Sequence, residues 1–316
     1  MTPEQVVAGV RAGRRRAIGR AITMAESLGP EGRAVMRALH PLAGRAMRVG
    51  ITGSPGAGKS TLSAALVRLL RGRGVTVAIV SVDPTSPFTH GAVLGDRIRL
   101  VDHFLDDGVF IRSMASRGHL GGLSEATGDA VTILDSAGFD VVIVETVGAG
   151  QNEVEVQALT DTVVLVLMPG SGDAIQAIKA GVMEIPDVIV INKCDRPGAD
   201  VLAGEVESAL TLVPPDGWVP PVILTQALDG QGVADAWDAV ERHRADLAAT
   251  GTAGARARDG VRRHLRSLAL ERMARDLNAR SDAQALDALV ERVVAREIDP
   301  STAVDSILGV SPVEEP

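Results

Sequence analysis

The stretch from Val49 to Leu70 constrains this chain more than any other. Val49, Gly50 and Ile51 read as the end of a buried strand, and Gly53-Ser54-Pro55-Gly56-Ala57-Gly58-Lys59-Ser60 follows directly. That spacing is G-x-x-x-x-G-K-[ST], a loop that wraps phosphate. Leu62, Leu66, Leu69 and Leu70 then share one helical face. Gly53, Gly56 and Gly58 let the backbone turn its N–H groups inward. The helix that follows offers free N–H groups and the positive end of its dipole. Lys59 is a mobile charge for the β- and γ-phosphates, Ser60 is a hydroxyl for Mg²⁺, and Thr61 leads into the helix. A glycine turn that binds nothing needs no such order of strand, loop and helix.

The rest of the chain reads as an α/β protein with a mostly parallel sheet covered by helices. Apolar runs at 75–82, 109–112, 140–145, 162–167, 187–191 and 221–224 alternate with helical patterns. Near-continuous apolar strands of this kind are buried on both faces. The polar motifs fall at strand C-terminal ends, where open α/β sheets bind ligands. Helices are expected at 96–106, from Ser124 to Ala137, and from Val233 to Ala249. Residues 3–40 look helical, with a break at Gly29-Pro30 that predicts two helices packed as a cap. Residues 256–297 read as two long helices, followed by a short one at 301–308. The expected organisation is an N-terminal helical extension (1–45), a nucleotide-binding domain (46–250) and a C-terminal helical arm (251–316).

Composition narrows the class. Hydrophobic residues make up 46% of the 316, enough for a sizeable core, yet aromatics are 2% and Tyr is absent, so packing rests on Val, Leu, Ile and Ala. A net charge of −8 argues against nucleic acid as partner. Cys194 is the single cysteine, which excludes an internal disulfide and a Cys-rich metal site. No apolar run reaches membrane-spanning length. Met1 to Arg20 carries arginines without an apolar stretch after them, so no secretory signal is read and a cytoplasmic location is expected. Lysine is used sparingly: of 32 Lys and Arg residues, only Lys59, Lys179 and Lys193 are lysine. A compact ammonium differs from a planar guanidinium fork. Two of the three sit in nucleotide motifs, which makes Lys179 a candidate on chemistry alone.

Asn192-Lys193-Cys194-Asp195 matches N-K-x-D after a strand. A carboxylate at Asp195 accepts two hydrogen bonds from the N1–H and N2–H₂ edge of guanine, a donor pair adenine lacks. Asn192 and the Lys193 stem support the ring and the neighbouring loop, and Thr225-Gln226-Ala227 takes the place of a backbone contact to the base. Glu145-Thr146-Val147-Gly148 occupies the strand-end acid position, with Glu145 placed to hold a Mg²⁺-bound water and Gly148 to offer an N–H to the γ-phosphate. Asp83 and Asp96 flank a loop rich in Pro, Ser and Thr that suits closure over γ-phosphate and Mg²⁺. Asp96 reads equally well as an acid at a helix start. Gln151 lies too far past Gly148 to be given the water-orienting role.

Together these motifs resemble the MeaB family, G-protein chaperones of adenosylcobalamin-dependent acyl-CoA mutases that also carry an older label as lysine/arginine/ornithine transport ATPases. The resemblance rests on residues 53–61, 82–87 and 94–96, and more specifically on Glu-Thr-Val-Gly-Ala-Gly-Gln-Asn-Glu at 145–153 and the run at 169–181. It implies a homodimeric, Mg²⁺-dependent GTPase that cycles between GTP and GDP, gates cofactor loading and protects its mutase. Lys59, Asp83, Asp96 and Glu145 would form the catalytic and metal-side set. Residues 168–179 would be an extra switch, with Gln176 and Lys179 within it. Thr85 and Thr225-Gln226-Ala227 depart from the family pattern. Three rivals remain: a nickel-insertion GTPase, for which the six histidines are too scattered; an ATP-dependent kinase energising basic amino acid transport, opposed by Asn192 to Asp195; and a module that holds GTP without hydrolysing it.

Overall fold

The structure is a computed structural model, and it describes residues 1–83, 105–115, 125–146, 152–170, 186–211, 217–280 and 283–309. Two compact units divide the chain, Met1–His264 and Leu265–Pro316.

The first unit is built on seven strands: β1 (Met47–Gly53), β2 (Val77–Asp83), β3 (Val109–Ala115), β4 (Val141–Thr146), β5 (Thr162–Leu167), β6 (Val188–Asn192) and β7 (Val222–Thr225). Their order is β3-β2-β4-β1-β5-β6-β7. Every pairing is parallel. Strand β1 therefore lies between β4 and β5, with Ile51 opposite Glu145 and Gly53 opposite Val166. This is where the strand order reverses, and a crevice opens at the carboxyl ends of such strands.

Side chains leave each strand alternately toward two helical layers. Val77, Ile79, Val141 and Ile143 join α4 (Lys59–Gly72) and the helix Val233–Ala249 in one core. Ala78, Val80, Val142 and Val144 join a second core on the other face. That core includes Val6 and Val10 of α1 (Pro3–Arg11), Ile18 and Ile22 of α2 (Arg15–Glu26), Val35 and Leu39 of α3 (Pro30–Leu39), and α5 (Glu125–Ser136). Each fully buried aliphatic side chain contributes ~1.5–3 kcal/mol, so the N-terminal helices are held on the sheet by apolar burial.

The amino-terminal segment differs from the two helices expected. It has three, because the chain also breaks at Gly13, whose φ of +66° suits glycine. The reversal is tight: a Cβ on Gly9 would stand 2.3 Å from the Cβ of Ala17, so only glycine lets α1 and α2 approach this closely. Two helices were not anticipated, α6 (Asn152–Leu159) and α7 (Ala199–Leu210). Helix α7 covers β5 and β6 through Leu202 and Val206. The helix expected at 96–106 lies largely outside the described residues. Helix α8 (Val233–Ala249) matches its expected bounds and is followed by α9 (Ala253–Arg280), which passes from the first unit into the second.

The second unit adds α10 (Ala283–Val294) and α11 (Pro300–Leu308). Asp299 caps α11 by accepting from the N–H groups of Ser301 and Thr302. Leu265, Leu270 and Met273 on α9, and Val290 and Val294 on α10, are exposed.

Candidate functional site

The loop between β1 and α4 is a left-handed cradle. Gly53, Gly56 and Gly58 have φ of +133°, +77° and +96°. Two of them are also sterically required. A Cβ on Gly53 would meet the Val166 carbonyl oxygen at 2.1 Å, and one on Gly58 would meet Asn192 Nδ2 at 2.2 Å. Ser54 closes a turn by accepting from the Ala57 N–H, while Pro55 and Gly56 stay exposed. Lys59 is buried, and its Nζ donates to the carbonyls of Gly53 (2.6 Å) and Ser54 (3.0 Å). Its charge is thereby held at the loop itself. Thr61 sits half-buried in the first turn of α4.

The strand-end acid is placed against that helix. Glu145 is 1% exposed and accepts from Ser60 Oγ at 2.5 Å and from Ser63 Oγ at 2.8 Å. Ser63 was not singled out from sequence. The available signal was a serine one turn after Ser60, set among the alanines and leucines of α4. Thr146 donates to Thr52 Oγ1 across β4 and β1. Asp83 closes β2, one residue beyond the Val82–Thr146 pair, so its backbone lies beside the end of β4.

Asn192 joins the loop to the far side of the crevice. Its Nδ2 donates to the Ala57 carbonyl at 2.9 Å, and its Oδ1 accepts from Thr225 Oγ1 and the Ala227 N–H, each at 3.1 Å. Thr225 also accepts from the Cys194 N–H. Gln226 is tied by its N–H to Gln231 and by its side chain to Asp229. Lys193 adopts φ +60°, and its Nζ donates to the Gly56 carbonyl at 2.7 Å. Asp195 is exposed and makes no hydrogen bond among the described residues. Two of the three lysines thus deliver an ammonium to carbonyls of the same loop, a task suited to a slender point donor.

The structure brings together Gly53 to Thr61, Glu145, Asn192, Lys193, Asp195 and Thr225 to Ala227 at the carboxyl ends of β1, β4, β6 and β7. Asp96, Gly148, Gln176 and Lys179 lie outside the described residues. Among the described residues no group of three His, Cys, Asp or Glu forms a metal cluster. Mg²⁺ needs few protein ligands and prefers oxygen. The Ser60 hydroxyl and the Glu145 carboxylate supply an all-oxygen pair of that kind.

A parallel sheet with a G-x-x-x-x-G-K-S loop on its central strand and helices on both faces defines a P-loop NTPase. Comparison with known proteins narrows the class. The sequence profile of the methylmalonyl-CoA mutase-associated GTPase MeaB matches residues 18–282, so the chain belongs to the MeaB family of GTPases. A Pyrococcus abyssi relative, itself provisionally named a GTPase, is 44% identical over 96% of this chain and 95% of its own. The mouse methylmalonic aciduria type A homolog, a mitochondrial protein, is 32% identical over 83% of this chain and 64% of its own. A crystallised LAO/AO transport system kinase superposes with a TM-score of 0.73 at 29% identity, covering 97% of this chain and 96% of that one.

Proposed function

We propose that this GTPase acts as a chaperone of an adenosylcobalamin-dependent acyl-CoA mutase, gating cofactor loading and protecting the mutase in step with GTP hydrolysis. The observation that carries it is the family match over residues 18–282, together with the mouse relative. Methylmalonyl-CoA mutase or a close relative is the client this reading implies.

The chemistry follows from the residues in the crevice. The N–H groups of the 53–61 loop cradle the phosphates, and Lys59 offsets their charge. Ser60 and Glu145, with Asp83 and Asp96, would hold Mg²⁺, which supplies neutralisation of charge on the β- and γ-phosphates. Gly148 offers its N–H to the γ-phosphate. Asp195, exposed and uncommitted among the described residues, reads the guanine edge. Asn192 transmits the position of the base-side loop to the phosphate loop through the Ala57 carbonyl. Gln176 and Lys179 belong to a switch over 168–179 that responds to the mutase, with Lys179 stabilising charge on the transferred phosphoryl group.

Homodimerisation through the C-terminal arm is part of this reading. It is supported by the exposed Leu265, Leu270, Met273, Val290 and Val294.

The test is GTP hydrolysis measured alone and with purified methylmalonyl-CoA mutase, with ATP as competitor. Stimulation by the mutase and indifference to ATP are expected. In Lys179→Ala the intrinsic rate should persist while the stimulated increment is lost. An unstimulated native rate, or displacement of GTP by equimolar ATP, rejects the chaperone reading. The ATP outcome favours instead a kinase of a basic amino acid transport system, the role in the name of the crystallised relative.

A further inference from the structure

The amino ends of the strands, opposite the phosphate-binding loop, carry a second cavity. It measures about 320 Å³ and lies between the start of β1, the turn into β5, the last turns of α8 and the first turns of α9. That volume falls within the range of small-molecule sites, ~300–1,000 Å³.

Its walls are strongly cationic. Arg45, Arg48, Arg244 and Arg256 all line it, against one lining acid, Asp161. Two of these charges are matched. Arg48 grips Asp161 as a fork, Nη2 to Oδ1 at 2.6 Å and Nε to Oδ2 at 3.3 Å. Arg256 pairs with Asp187 behind the wall. The other two are unmatched: the side chains of Arg45 and Arg244 make no ion pair or hydrogen bond among the described residues. The first residue of α9, Ala253, lines the same cavity, which brings the positive end of a 28-residue helix dipole to it. The remaining wall includes Met47, Leu247 and Val261, which are apolar.

We propose that this cavity binds a small organic anion, an oxyanion group carried on a compact apolar body. Arginine forks suit planar or tetrahedral oxyanions through paired, charge-assisted hydrogen bonds. Asp161 and Asp187 occupy Arg48 and Arg256, so the ligand's charge is met by Arg45 and Arg244, and the apolar wall covers its body. The occupant touches the sheet, α8 and α9 at once. Binding therefore fastens the start of α9 to the sheet and raises the melting temperature with ligand concentration.

The test uses the full chain with GDP and Mg²⁺ in excess, so that the phosphate loop is already occupied. Benzoate is titrated by calorimetry, with benzyl alcohol as a neutral probe of the same size. One saturable site for benzoate is expected, weakened by added salt, with benzyl alcohol bound far less well. The exposed pair changed together, Arg45→Gln and Arg244→Gln, should lower benzoate affinity about ten-fold or more and leave GDP affinity unchanged. Three results overturn the proposal: no saturable benzoate binding, equal binding of benzyl alcohol, or full benzoate affinity in the double variant.

Discussion

Replacing Asn192 by Ala removes one side chain and strands three partners. Asn192 is 2% exposed. Its loss leaves the Ala57 carbonyl, the Thr225 hydroxyl and the Ala227 N–H without their bonds, and these three residues are themselves at most 1% exposed. An unsatisfied buried polar group costs ~1–3 kcal/mol. The Thr225 hydroxyl can turn to another acceptor, so the lower end applies and the sum is about 3 kcal/mol. For a unit of this size each kcal/mol moves the midpoint by roughly 2 °C, which gives a fall of about 6 °C in a thermal melt. Nucleotide affinity should fall with it, since the bond to Ala57 is the buried one of two direct ties between the loops, the other being Lys193 to the Gly56 carbonyl. Asn192→Asp separates electrostatics from packing. It keeps the volume and the acceptor for Thr225 and Ala227, but sets a carboxylate oxygen against the Ala57 carbonyl. It should be at least as damaging as Ala at neutral pH. Its deficit should narrow as the medium is acidified and the carboxyl regains a donor hydrogen, whereas that of Ala should not. An Asn192→Ala melt within about 1 °C of the native chain, or an Asp variant as stable as the native chain at neutral pH, refutes this account.

The other predictions concern turnover, base choice and pH. Glu145→Gln should keep the fold, because the hydroxyls of Ser60 and Ser63 can turn to serve an amide, while GTP turnover measured by phosphate release falls about 100-fold. Native turnover would remove Glu145 from the metal side. Asp195→Asn should weaken GTP by about 10- to 100-fold and improve xanthosine triphosphate in competition binding; no change in either direction rejects the guanine-edge role. His243 is buried, with Thr162, Asp187, Arg256 and Trp218 around it. Burial, aided by the charge of Arg256, lowers its pKa from 6.5 to about 4. Between those values the unfolded chain binds a proton that the folded chain refuses. Its contribution is therefore intact above pH 6.5 and is lost as pH falls toward about 4, by at most ~3 kcal/mol. Asp187 acts in the opposite sense: burial raises its pKa despite Arg256, so its protonation on acidification offsets part of that loss. Melts from neutral pH to about pH 4.5 should fall more steeply for the native chain than for His243→Asn, and parallel curves reject the assignment.

Much of the architecture was written locally. Strands β2, β4, β5 and β6 fall on runs dominated by Val, Ile and Leu, because a strand covered on both faces is apolar almost throughout, while β3 and β7, at the sheet's edges, carry Arg112 and a partly exposed Leu224. The phosphate loop was legible for a related reason, since a backbone that turns back on itself needs glycine at set positions, and Asn192 to Asp195 stood out as a polar motif directly after the apolar run of β6. The scarcity of lysine singled out Lys179, which lies outside the described residues; Lys59 and Lys193, found by their motifs, both reach carbonyls of one loop. What sequence could not supply is whatever joins residues far apart along the chain. The break at Gly13 depends on how closely α1 and α2 approach at Gly9 and Ala17. The order that sets β1 between β4 and β5 places Glu145 on Ser60 and Ser63. The bond from Asn192 to Ala57 spans 135 residues, and the walls of the cationic cavity come from segments near residues 45, 160, 245 and 256. Periodicity and motifs report how each segment meets water and its own backbone. Which segments then meet one another is decided only when the sheet closes and the helices pack on it.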